Sequence, residues 1–358
     1  MNLILPIGGK STRYPNCRPK WLLTHPNGNF MLTEAIRGLP LKQFNQIIII
    51  ALEEYEKKYK FSDELINEIG KIYNFPKNNI IVNFISDSNS QPETVYKGIY
   101  SEIYEFQNTE LLNKGIFIKD CDNYFEIDHI NPEHNYVIVS DLHDNQELIA
   151  GNKSYIQLGG SNSIVNIIEK QVISNLFCCG GYYFSSTNNF LTTYQKLSTH
   201  DNLYLSHLIY QQIINGDLFF IKTSTNYIDW GTLEDWNKFK SQYKVLFVDI
   251  DGVIVKNSAK NLEPKWGTTE ALKENVKILN ELYKTKKCQI ILTTSRTNEY
   301  RKKTIEQLDK ICLNYNQLIM GLFHGQRILI NDYAPSNNYP TAIAINLERN
   351  SDKLKDLL

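Results

Sequence analysis

Short aliphatic runs recur along this chain at residues 3–7, 47–52, 80–85, 116–118, 136–140, 245–250, 289–292, 328–330 and 342–345. Helix-period stretches lie between several of them, at 33–38, 94–106, 206–215, 270–283 and 299–308. Strand and helix in alternation predict an α/β fold whose parallel sheets are covered on both faces. The polar segment 238–243 separates a completed first set of motifs from a strand that opens a second. The expectation is therefore two doubly wound, mostly parallel-sheet domains, over residues 1–240 and 244–358. A length of 358 residues suffices for two cores, and 42% hydrophobic content excludes disorder.

The first run leads into Gly8-Gly9-Lys10-Ser11-Thr12-Arg13, with Arg18-Pro19-Lys20 just beyond. Adjacent glycines let backbone N–H groups approach an anion closely, and the separated cations Arg13 and Lys20 add charge. Such a loop is suited to gripping a triphosphate. Gly9-Lys10-Ser11 looks like the end of a P-loop, but that motif needs a glycine five positions before the second one, and Ile4 stands there.

Ligands of open α/β sheets sit beyond the carboxyl ends of strands, so acidic residues that follow aliphatic runs are candidate site residues. Asp120 and Asp122 follow 116–119, and Asp229 stands in Tyr227-Ile228-Asp229-Trp230-Gly231-Thr232. A triphosphate gripped by such a loop would bring polyanionic charge against these carboxylates. Mg²⁺ held by one or two carboxylates plus substrate phosphates can shield them.

Gly8, Gly9, Arg13, Pro19 and Lys20 resemble the signature of the nucleotidyltransferases that activate sugar and alcohol phosphates. The resemblance extends over residues 1–240. It implies a metal on Asp122 or Asp120 together with Asp229, and a nucleobase against Gln91 and Thr94 of Gln91-Pro92-Glu93-Thr94. It also implies that Lys170 of Glu169-Lys170 reaches the acceptor phosphate, and that Gly181 and Tyr182 wall the acceptor pocket. The implied reaction is in-line attack of an acceptor phosphate oxygen on the α-phosphorus, with pyrophosphate leaving. Gly8, Gly9, Lys10 and Arg13 would hold the triphosphate, and Lys20 would meet charge at the α-phosphate. Residues 8–9, 119–123 and 229–232 look most like cytidylyltransferases, which makes CTP the expected donor. UTP, GTP and dTTP enzymes share the scaffold and stay open, as does the acceptor: a sugar phosphate, a polyol phosphate or a phosphocholine-like compound.

A second motif set begins at 245–254, where an apolar strand delivers Asp249 and Asp251 to one side, followed by Gly252. It resembles the haloacid dehalogenase superfamily of phosphatases. That implies Asp249 as nucleophile and metal ligand, Asp251 as proton donor, Thr294 as phosphate binder and Asp332 as the further Mg²⁺ ligand. The cation implied is a lysine, and here the chain departs from the pattern, with Arg327 preferred over Lys303. The interval from Asp251 to Thr294 leaves no room for a large cap domain. A degenerate domain that binds phosphate without hydrolysing it is the alternative.

The fusion implies a bifunctional enzyme resembling bacterial capsular or surface-polysaccharide biosynthesis proteins. A non-catalytic nucleotide-sugar sensor would be expected to lack the carboxylates or the Arg13/Lys20 pair, and both are present. A net charge of −1 gives no bulk attraction to nucleic acid or membrane. The six cysteines show neither C-x-x-C pairs nor a histidine cluster, so neither a zinc site nor a disulfide framework is expected. With no signal-peptide pattern and no apolar run near membrane length, the expected compartment is the cytoplasm.

Overall fold

The computed structural model of the chain describes residues 1–145, 148–332 and 341–358. It divides into two units, Met1–Trp236 and Asn237–Leu358. Strands of the first unit are β1 (Asn2–Ile7), β2 (Ile47–Leu52), β3 (Ile80–Ile85), β4 (Ile116–Lys119), β5 (Asn123–Glu126), β6 (Asn135–Asp141), β7 (Ser154–Leu158), β8 (Ile164–Glu169), β9 (Leu176–Phe184), β10 (Phe219–Thr223) and β11 (Thr225–Asp229). Its helices are α1 (Met31–Ala35), α2 (Glu53–Tyr59), α3 (Ser62–Tyr73), α4 (Gln91–Tyr104), α5 (Thr187–Leu197) and α6 (Leu205–Ile214), and α7 (Leu233–Ser241) carries the chain onward.

Nine of these strands form one sheet, in the order β10-β6-β9-β4-β1-β2-β3 with β7 on β9 and β8 on β7. β4, β1, β2 and β3 run parallel, while β9 runs antiparallel between β4 and β6. Successive residues of the first two strands divide between two cores. Ile4, Ile48, Ile50 and Leu52 pack with Val95 and Ile99 of α4 and Leu208 of α6. Leu3, Leu5, Ile47 and Ile49 pack with Leu32 of α1 and Leu65 and Ile69 of α3. Both faces are covered, which is why these runs are apolar at every position and not at alternate ones.

The second unit holds a three-stranded parallel sheet of β12 (Lys244–Asp249), β13 (Cys288–Thr293) and β14 (Gln317–Ile319). Helices α8 (Lys273–Lys284) and α9 (Arg301–Lys310) supply Leu279 and Leu308 to a core built on Ile250, Ile254, Ile290 and Leu292. The runs 328–330 and 342–345 do not form the strands expected of them. An aliphatic triplet marks a buried strand only where a neighbour bonds it and a layer covers it. Here Ile328 and Ile330 are 76% and 88% exposed. Asp332, expected to end a strand as a metal ligand, lies exposed in an irregular segment, where its backbone carbonyl accepts a hydrogen bond from Thr341 Oγ1. Among the described residues no helix is long and apolar enough to cross a membrane.

Candidate active site

The loop after β1 is fixed from several sides. Ser11, at a positive φ of 50°, accepts the Tyr14 N–H on its carbonyl and the Lys20 N–H on its hydroxyl, at 2.8 and 3.1 Å. The Tyr14 hydroxyl donates to the Trp230 carbonyl. A Cβ on Gly8 would stand 2.8 Å from Thr94 Oγ1, so only glycine lets the loop pass this close to the start of α4. Thr94 itself is buried, with its hydroxyl bonded to the Ser90 carbonyl and to Ser88 Oγ. It holds loop and helix together and does not face open space, unlike the nucleobase contact expected of it. Gln91, at the head of α4, donates to Asp120 Oδ1, while Gly9 and Lys10 are exposed.

Asp122 and Asp229 are distant in sequence but are brought together by backbone pairing. β11 runs antiparallel to β5 with Asp229 opposite Asn123, and the Trp230 N–H donates to the Asp122 carbonyl at 2.9 Å. Lys20 Nζ stands 2.5 Å and Arg13 Nη2 3.4 Å from Asp122 Oδ2. Lys153 Nζ stands 2.7 Å from Asp229 Oδ2, and the Gly231 N–H donates to Asp229 Oδ1 at 3.0 Å. Burial opposes the charge of Asp122, but the Lys20, Arg13 and Lys153 cations outweigh it and hold this carboxyl well below the usual range. Burial and the Asp122 charge push Asp120 the other way, up to about 6. The buried Lys119 ammonium, lowered to about 8 chiefly by burial, donates to the Asp120 carbonyl and to Asn123, which fixes the turn carrying both aspartates.

Arg13, Gln91, Asp120, Asp122, Lys153 and Asp229 line a cavity of about 410 Å³ that also takes in Glu169, Lys170, Tyr182, Tyr204 and Ser206, with Lys20 reaching it through Asp122. Glu169 accepts hydrogen bonds from the Ser154 and Ser206 hydroxyls, and Lys170 Nζ donates to the Tyr204 hydroxyl at 2.6 Å. Gly181 does not wall the cavity. A Cβ there would lie 2.7 Å from Ile138 and Phe125, on the packed side of β9. Its neighbour Gly180 does, at a φ of +81° and where a Cβ would meet Asp120 Oδ2 at 2.4 Å. Strand alternation sends adjacent residues to opposite faces, so placing the pocket wall one residue late reverses its direction. Lys153 belongs to none of the sequence motifs. The signal for it is hairpin register, since the Lys170 N–H donates to the Lys153 carbonyl beside the Ser154–Glu169 pair.

The donor set suits a divalent cation. The position a Gly231 Cβ would fill lies 3.0 Å from Asp229 Oδ1 and 3.8 Å from Asp122 Oδ2, so two hard carboxylate oxygens flank one small cradle, with Arg13 Nη1 3.3 Å from the same point. Mg²⁺ takes one or two carboxylates and completes its shell with phosphates and water. Among the described residues no group of three or more His, Cys, Asp or Glu side chains could hold a metal ion.

In the second unit Arg327 Nη2 lies 3.3 Å from Asp249 Oδ1, and burial raises the Asp249 carboxyl above its ordinary value, partly offset by Arg327. Asp251 is engaged differently. Arg296, whose side chain is fully buried, donates Nε to one of its oxygens and Nη2 to the other, each at 2.8 Å, and Ser258 adds a third bond. The remaining Arg296 nitrogen donates to Gln307 and Thr304. Thr294, expected to bind phosphate, is 1% exposed and its hydroxyl accepts the Arg296 N–H. The more accessible hydroxyl at the end of β13 is that of Ser295.

A mixed, parallel-rich sheet with a charged cavity beyond its strand ends places the first unit in the Rossmann-like α/β class. Solved structures share this fold. The nucleoside-diphosphate-sugar pyrophosphorylase of Vibrio cholerae RC9 matches with a TM-score of 0.55 at 16% identity, over 66% of this chain and 98% of that one. The inositol-1-phosphate CTP transferase of T. maritima matches with a TM-score of 0.50 at 15% identity, over 65% and 90%. No protein-family model matches the sequence, and no curated protein matches it.

Proposed function

We propose that the first unit transfers a nucleotidyl group, from CTP by preference, to a sugar or polyol phosphate and releases pyrophosphate, in the supply of activated precursors for a surface polysaccharide. The observation that carries this reading is the convergence of Arg13 and Lys20 on Asp122 at one cavity that also holds Lys153, Glu169 and Lys170. Sites for two anions thus share one chamber. The fold shared with a sugar-nucleotide pyrophosphorylase and a CTP transferase supports it. The acceptor's phosphate oxygen forms a bond to the α-phosphorus while the bond to the bridging β-phosphate oxygen breaks. A phosphate dianion needs no general base, so positioning and charge stabilisation by this chain's residues govern the rate. Gly8 and Gly9 present backbone N–H groups, Arg13 holds the leaving pyrophosphate, and Lys20 meets charge at the α-phosphate. Asp122 and Asp229 would hold a divalent cation, which supplies charge neutralisation where the two anions meet. The test is ³¹P NMR of the protein with Mg²⁺, each of four nucleoside triphosphates and a panel of sugar and polyol phosphates. A new pyrophosphate-diester product, largest with CTP, is expected. No such product from any pair would overturn the reading.

For the second unit the reading is a phosphate-binding domain that does not hydrolyse phosphomonoesters. What supports it is the two-pronged Arg296–Asp251 pair, because both carboxylate oxygens are already engaged by charge-assisted bonds, with Ser258 on one of them, and neither is presented to a leaving group. The exposed position of Asp332 points the same way. Mg²⁺-dependent hydrolysis of a broad monoester panel that Asp249→Asn abolishes would restore the phosphatase reading.

A further inference from the structure

Of the two cavity lysines among the described residues, Lys153 and Lys170, it is Lys153 whose ammonium pairs with Asp229. Its side chain is 14% exposed, and its Nζ lies 2.7 Å from Asp229 Oδ2 and 2.7 Å from the Tyr227 hydroxyl. Asp229 Oδ1 accepts the Gly231 N–H, and Lys153 is the ammonium on its other oxygen. Lys153 also sits at the mouth of the β7–β8 hairpin, backbone-bonded to Lys170, and both side chains line the same cavity. Lys170 differs in its partner, the neutral Tyr204 hydroxyl. One hairpin end thus offers two ammonium groups, of which one is tied to a carboxylate suited to a metal and the other is not.

We infer that Lys153 is an exchangeable counter-ion, occupying Asp229 when no metal is bound and turning to the acceptor's phosphate when Asp229 takes up a divalent cation. This rests on the nucleotidyl-transfer reading of the cavity. The physical reason is charge balance: an ammonium and a divalent cation repel, and they compete for the charge of one carboxylate, the ammonium from Oδ2 and the metal cradle from Oδ1. Displaced from Asp229, a partly buried ammonium needs a new anion, and the second lysine of the hairpin marks where one binds.

The experiment titrates Mn²⁺ alone into ligand-free wild-type protein and into Lys153→Met, Lys153→Arg and Lys170→Met variants, followed by EPR, with circular dichroism to confirm folding. Lys153→Met should bind Mn²⁺ at least about fivefold more tightly, because an exposed ion pair supplies up to about that and this pair is largely buried. Lys153→Arg, which keeps the charge, should stay close to wild type, as should Lys170→Met. In turnover, Lys153→Met should raise the acceptor KM about tenfold or more while leaving the nucleotide KM nearly unchanged. Unchanged or weaker Mn²⁺ binding by a folded Lys153→Met variant overturns the inference, and so does an unchanged acceptor KM. If wild-type protein transfers no nucleotide, the functional reading fails separately and the Mn²⁺ titration alone decides the role of Lys153.

Discussion

Lys20 and Arg13 both face Asp122, but they are not equivalent. The Lys20 side chain is 20% exposed and in close contact, whereas Arg13 is 53% exposed and 3.4 Å away. A charge contact weakens as water screens it, so Lys20→Ala should slow transfer by roughly 10²–10³ and Arg13→Ala by less. Initial rates of the two purified variants test this order. His25 offers a prediction about stability. Burial pushes its imidazole below its ordinary 6.5, against the raising effects of Asn27 and Glu34, and its ring packs on Trp230 and Trp236. A depressed folded value means the unfolded chain takes up the proton first. Stability from this group is therefore fully present above about pH 6.5 and is lost as pH falls below it. Urea unfolding at pH 7.5 and 5.5 should show the fall, and His25→Gln should remove part of it. An identical pH slope in the variant would discount His25.

At the scale of elements, the turn after α1 meets β5 backbone to backbone. A Cβ on Gly38 would stand 2.0 Å from the Phe125 carbonyl oxygen, and the Ile127 N–H donates to the Gly38 carbonyl. Backbone cannot yield as a side chain can, so Gly38→Ala should destabilise by at least about 1–3 kcal/mol. Gly151→Ala, where nothing lies within 4 Å, should be nearly neutral. Thermal melts of both variants provide the comparison. The same close packing governs what could be read from sequence. β1, β2 and β4 were legible because burial on both faces keeps their central residues apolar, and β3, at the sheet edge, because Ile80-Ile81-Val82 stays aliphatic ahead of Asn83. β5 and β11 were not, since they are short and interrupted by Asn123, Glu126, Asn226 and Asp229, of which Asn123 and Asp229 line the cavity while Glu126 and Asn226 bond to each other. β9 was read only as a pocket wall, although it is the central antiparallel strand. Loop residues with a motif, Gly8, Arg13 and Lys20, were legible; Lys153, placed by hairpin register alone, was not. The runs 328–330 and 342–345 show the reverse error, apolar composition without a partner to bury it.

At the scale of the whole chain, each unit has its own core, and the proposed transfer chemistry lies wholly in the first. Arg296 is the keystone of the second, bonding Asp251, Thr304 and Gln307 from a fully buried position. Arg296→Met leaves the Asp251 carboxylate without its cation and should cost that unit about 3–5 kcal/mol. Limited proteolysis should then cut within residues 237–358 while nucleotidyl transfer persists. Loss of transfer in step with unfolding of the second unit would show that the two depend on each other.

The most direct measurement is the initial rate of pyrophosphate release from CTP with the best acceptor phosphate, taken side by side for wild type and Lys20→Ala at saturating Mg²⁺. Acceptor-dependent release by wild type, slowed roughly 10²–10³ in a variant with an unchanged circular dichroism spectrum, is the expected result. Release that does not depend on the acceptor, or equal rates in the two proteins, would contradict nucleotidyl transfer at this cavity.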